Sequence, residues 1–186
     1  MIVLGVDPGT LATGYGLIEN QNGKLSVLAS GCIRNDARSS MPLRLKRIFD
    51  TLSAVIAKHH PDEFAIETAF YGKNAQSALK LGHARGVAML AAVSREIPTQ
   101  EYSPREVKKA IVGNGTASKE QVQYMVRVLL KLDKAPAQYD VTDALAVAMC
   151  HVHRRLSVRH SSSSGWKSYV AAHPDKIVAA PRPAKR

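Results

Sequence analysis

The order of apolar runs predicts an α/β fold: a five-stranded mixed sheet flanked by helices, with strands one to three antiparallel and strands one, four and five parallel. Three observations predict it. The first three runs read as strands, and an Asn-Gly pair, the strongest short hairpin signal, joins the second to the third. Two later short runs each follow a segment of helical spacing, as the right-handed crossovers of a parallel sheet require. The chain then continues in helical patterns alone, giving the order β-β-β-α-β-α-β-α-α-α.

Each element has a local cause. MIVLGV is short, aliphatic and followed by Pro8 and Gly9, so it reads as a strand buried on both faces and closed by a turn. TGYGLIEN follows, its start relieved by Gly14 and Gly16, and KLSVLASGCIRND alternates as the third strand. Over residues 40–60, Leu45, Ile48, Leu52 and Val55 share one helical face, and Pro61 stops the helix. PDEFAIETAF is the fourth strand, ending near Glu67. A helix over residues 74–96 carries Leu79, Gly82, Gly86, Leu90 and Val93 on one side, where small residues admit either the sheet or a second copy of the chain. IPTQEYS is a fifth, short strand. In the helix after it, Ser103 is the N-cap, Pro104 takes the first position, Glu106 closes a capping box and Gly113 ends it. Ser118 and Gln121 form the weaker box of the next helix, and YDVTDALAVAMCHVHRR is the last, entered through Pro136.

Composition narrows the setting. The 186 residues suit one domain, read here as residues 1–155, followed by a basic, flexible tail at 156–186. The net charge of +11 favours a polyanionic partner, yet residues 151–186 hold eight Lys/Arg and one acid, so much of the excess belongs to the tail. Cys32 and Cys150 make no CxxC pattern, which excludes a cysteine-built zinc site and suits a reducing, cytoplasmic setting. The first apolar run is broken by Asp7 too early for a signal peptide, and no stretch is long enough to span a membrane.

The chemistry lies in four acids. Asp7 and Glu67 both end apolar strands, and a carboxylate at the mouth of a buried strand needs a positive partner. On parallel neighbours their backbones stand about 4.8 Å apart, close enough to share a cation, at the edge where open α/β sheets place their sites. Asp140 and Asp143, spaced i, i+3 at a helix start, occupy one face. Together the four describe an oxygen-rich site for Mg²⁺, with Mn²⁺ able to substitute. Structural roles stay open for each alone: Asp7 as a turn residue, Glu67 as a surface residue, Asp140 and Asp143 as capping groups.

At this point the chain resembles the RuvC-type Holliday junction resolvases. The stretches that carry the likeness are GVDPGTLATGYG, FAIETAFYGKNAQSALKLGHARG, VKKAIVGNGTASKEQVQYMV and DVTDALAVAMCH, in family order and at family spacing, over about residues 1–153. The resemblance implies an RNase H-like fold. It also implies a homodimer that nicks four-way junctions symmetrically in recombination and repair, leaving 5′-phosphate and 3′-hydroxyl ends. Asp7, Glu67, Asp140 and Asp143 stand where the family has its catalytic carboxylates. Two metal ions per site, about 3.5–4 Å apart, would clamp the phosphodiester, with Asp7 the candidate to bridge them. The RuvA and RuvB branch-migration proteins are the implied partners.

The resemblance also assigns DNA contacts. Lys108 and Lys119 match family lysines near the scissile phosphate, although a solvated helix face is the ordinary fate of lysine. Phe70 matches a Phe that stacks at the junction centre, in a loop with Tyr71, Lys73 and Asn74; Tyr71 competes for the role, and a core position would also suit Phe70. Arg105, Lys109 and Arg127 are further phosphate-contact candidates. His59, His60, His151 and His153 read as surface or helix-end residues. Rival readings are a sugar kinase or actin-like phosphate binder, which needs a second domain, a non-catalytic junction binder, and a nuclease for RNA–DNA hybrids.

Overall fold

The computed structural model describes residues 1–68 and 75–161, with side chains described as far as residue 156. Phe70, Tyr71, Lys73 and Asn74, and most of residues 156–186, therefore lie outside the described residues.

The expected order holds. Strands β1 (Ile2–Asp7), β2 (Ala12–Gln21) and β3 (Lys24–Arg34) form an antiparallel meander, then α1 (Met41–His59) crosses to β4 (Glu63–Glu67). α2 (Ala75–Val93) crosses to β5 (Thr99–Tyr102), and α3 (Pro104–Val112), α4 (Lys119–Leu129) and α5 (Tyr139–Ser161) follow. The sheet order is β3-β2-β1-β4-β5, with β1–β4 and β4–β5 parallel. The β2–β3 turn places Asn22 at φ 53° and Gly23 at φ 88°, the left-handed pair that a tight hairpin needs.

Chain contacts divide the protein into two units, Met1–Val152 and His153–Arg186. Of the second, the described part is the C-terminal portion of α5. In the first, Leu4, Val6, Phe64 and Ile66 point from the central strands into a core closed by Ile48, Leu52 and Ile56 of α1 and by Ala84, Ala88, Ala91 and Ala92 of α2. Leu45 and Val55 of α1 pack at its margin, as their spacing predicts. Among the described residues no helix is long and apolar enough to cross a membrane.

Two expectations need correction or refinement. α2 turns its alanines to the core, with Val87 and Met89 packed beside them, while Leu79, Leu90 and Val93 are exposed and a side chain at Gly82 or Gly86 would meet nothing within 4 Å. The Gly82–Gly86 face is therefore the outward one. His151, read as a surface or helix-end residue, is buried at 3% exposure. Its Nδ1 lies 2.8 Å from the Tyr102 hydroxyl, and its Nε2 meets the Glu63 carboxylate. The i, i+2 spacing of His151 and His153 correctly separates the two, but does not tell which faces the sheet.

Candidate active site

The site is built where β1 and β4 end. Val6 and Ile66 are register partners with side chains in the core. Alternation then places the next residues, Asp7 and Glu67, side by side on the opposite face, the one that α5 covers. The turn after Asp7 is tied by Thr13, whose buried hydroxyl donates to the Gly9 carbonyl at 2.6 Å and accepts from the Gly9 amide at 3.3 Å.

Glycines make the floor on which α5 rests. A side chain at Gly5 would come within 2.7 Å of the Ala148 amide, and one at Gly16 within 2.6 Å of Leu145. At Gly14, the register partner of Asp7, it would overlap the Asp140 backbone carbonyl. Gly14 and Gly16 thus do more than ease the start of β2. They let the first turns of α5 settle on the sheet, so that Asp143 and Asp140 arrive beside Asp7. The signal was present: glycine inside a strand marks a close backbone approach.

A cavity of about 220 Å³ results, lined by Asp7, Glu67, Pro104, Val107, Lys108, Lys119, Val122 and Asp143. Three of the four expected acids and both expected lysines therefore face one space. Asp140 lies outside the lining but raises the pKa of Asp7 by its charge. Capping boxes aim the lysines: Ser103 and Glu106 start α3, which carries Lys108, and Ser118 and Gln121 start α4 at Lys119. Lys119 Nζ is 3.4 Å from Asp143 Oδ2.

The electrostatics are those of crowded carboxylates. Burial, then the charges of Glu67, Asp143 and Asp140, push Asp7 up to about 8. Burial and Asp143 push Glu67 up to about 7, against Lys119 and Lys108. Burial also raises Asp143, against the opposing charge and hydrogen bond of Lys119. The Asp143 carboxylate in turn holds Lys119 above the ordinary lysine value. Such a group of oxygens fits hard divalent cations, which would relieve the repulsion. Among the described residues no three His, Cys, Asp or Glu side chains are drawn into an ion cage, and Lys119 lies against Asp143.

The remaining basic candidates stand away from the cavity lining. Arg105 packs its side chain where a Gly115 side chain would go. Arg127 lies 5.6 Å from the centre of the Tyr124 ring. Lys109 is absent from the lining.

Comparison with known proteins agrees with this architecture. The family model for "Crossover junction endodeoxyribonuclease RuvC" matches residues 3–151. A protein of that name from Salinibacter ruber is 47% identical over 177 residues, covering 95% of this chain and 99% of its own. Another, from Shewanella sp. strain MR-4, is 54% identical over 157 residues, covering 84% and 90%. The solved structure of Thermus thermophilus RuvC in complex with Holliday junction substrate superposes with a TM-score of 0.79 at 32% identity, covering 83% of this chain and 94% of that one. The 177-residue alignment extends the likeness past residue 155, farther than the motifs alone carry it.

Proposed function

This chain belongs to the RuvC family of crossover junction endodeoxyribonucleases, metal-dependent nucleases that resolve four-way DNA junctions in recombination and repair, and we propose that it cuts through a carboxylate site formed by Asp7, Glu67, Asp140 and Asp143. The observation that carries the assignment is that Asp7, Glu67 and Asp143 share a cavity with Lys108 and Lys119.

Asp7, Glu67, Asp143 and Asp140 would hold two Mg²⁺ ions, with Mn²⁺ as a substitute. When bound, such ions make hydroxide available near neutral pH and stabilise charge on the leaving 3′ oxygen. The protein's own groups do the rest. Asp7, at the centre of the edge, would be the ligand shared by the ions. Glu67 serves one side and Asp143 with Asp140 the other. Lys108 and Lys119 draw the phosphate into the cavity and oppose the charge that builds on it in the transition state. The products would carry 5′-phosphate and 3′-hydroxyl ends.

Symmetric nicking needs two such sites, and the outward face of α2, with Leu79, Leu90 and Val93 exposed around Gly82 and Gly86, suits a second copy of the chain. Phe70 would stack at the junction centre, with Tyr71, Lys73 and Asn74 as neighbouring contacts. Family membership implies RuvA and RuvB as partners, and a cytoplasmic place of work.

Cleavage of a synthetic four-way junction with Mg²⁺, beside linear duplex and an RNA–DNA hybrid, tests the proposal. The junction should be cut in preference to both controls, and Asp7→Asn should abolish cutting while leaving junction binding. Wild-type cleavage by Asp7→Asn would refute the site.

A further inference from the structure

Lys119 begins α4 with its side chain 63% exposed, so packing does not hold it. A free lysine side chain carries about 2 kcal/mol of rotamer entropy. An ammonium that must meet one phosphate oxygen therefore needs something to place it. Asp143 is one partner, at 3.4 Å. That carboxylate is also a proposed ion ligand, and a cation bound there would weaken its pull on the lysine.

The second partner is an aromatic ring. Lys119 Nζ lies 5.8 Å from the centroid of Tyr139, the first residue of α5. The ring attracts the cation through its quadrupole and competes for no metal ion. Its position is itself anchored: Gln123, one turn after Lys119 on the same face of α4, donates from Nε2 to the Pro136 carbonyl at 2.9 Å. Three residues beyond Pro136 stands Tyr139. The α4–α5 junction is thus tied at two points, with the lysine reaching over the ring toward Asp143.

We propose that Tyr139 is a positioning residue for cleavage: its ring face holds the Lys119 ammonium at the mouth of the carboxylate site, with Gln123 fixing the segment that carries the ring. The inference rests on the reading of Lys119 as a phosphate-facing group.

Single-turnover cleavage of a four-way junction, junction affinity without divalent ions and thermal stability test it in Tyr139→Phe, Tyr139→Leu, Lys119→Met and the Lys119→Met/Tyr139→Leu double variant. Tyr139→Phe keeps the ring face and should cut within about twofold of wild type. Tyr139→Leu keeps bulk without the face and should slow cleavage about 3- to 10-fold, with affinity and melting temperature little changed. On the Lys119→Met background the same change should cost nothing further. Wild-type cleavage by Tyr139→Leu, equal losses in the Phe and Leu variants, or an undiminished loss on the Lys119→Met background would each overturn the inference. If Tyr139→Leu also lowers the melting temperature, the double variant decides between a folding defect and loss of positioning. Unchanged cleavage by Lys119→Met would instead sink the reading of Lys119 itself.

Discussion

A side chain at Gly14 would overlap the backbone carbonyl oxygen of Asp140. The two residues belong to a central strand and the last helix, and their contact sets how close the second pair of acids comes to the first.

Gly14→Ala should therefore harm the site more than a small side chain ordinarily would. The first turn of α5 must move away, at a cost of about 1–3 kcal/mol in stability. A shift of about 1 Å in a reacting group is worth about 100-fold in rate. Thermal melting and single-turnover junction cleavage measure both effects. Full activity in Gly14→Ala would show that α5 need not sit as closely as it does.

Without divalent ions, stability should fall as pH rises. Burial and neighbouring carboxylates push Asp7 up to about 8 and Glu67 up to about 7 in the folded chain, from ordinary values of 3.8 and 4.5. Folding therefore favours their protonated forms. This contribution is complete below pH about 4 and is lost as pH climbs through 7 and 8. Asp7→Asn removes most of the burden, so at pH 9 in EDTA it should melt above wild type, by about 1–3 kcal/mol of stability, while at pH 4 the two should nearly coincide. Mg²⁺ favours the charged forms and should raise the wild-type melting temperature more at pH 8 than at pH 5. Melting scans over pH with and without Mg²⁺ check this, and a flat profile in EDTA would count against it.

His151 links β4, β5 and α5 from inside the protein. Glu63 begins β4 and Tyr102 ends β5, where the Tyr102 carbonyl also accepts from the Thr68 amide at 2.8 Å, one residue past Glu67. Replacing His151 by Leu removes the ring that both side chains touch, and should cost about 1–3 kcal/mol. Denaturant unfolding measures it. A loss below about 0.5 kcal/mol would mean that the network rearranges without penalty.

The outward face of α2 should control assembly. Leu90→Glu or Leu79→Glu puts charge on that exposed apolar face and should shift the chain from dimer to monomer by sedimentation at micromolar concentration, with the monomer's fold intact. An unchanged dimer would place the interface elsewhere.

What the sequence determined by itself is what near neighbours encode. Alternation and helical spacing marked the elements, the Asn-Gly pair and the Ser103 and Ser118 boxes marked their ends, and all of these act within a few residues. The ends of two apolar strands also brought Asp7 and Glu67 within reach of one cation once β1 and β4 were taken as parallel neighbours. Tertiary structure alone decided the docking. The burial of His151 rests on a contact with Glu63 88 positions away, and the seat of α5 on Gly5, Gly14 and Gly16 depends on which helix covers that face. The outward turn of α2 follows because its alanines allow closer packing on the core than Leu79 or Leu90 would. The ring of Tyr139 beneath Lys119 belongs to the same class. No local pattern marks a tyrosine at a helix start as the partner of a lysine on another helix, because that pairing exists only after both helices pack.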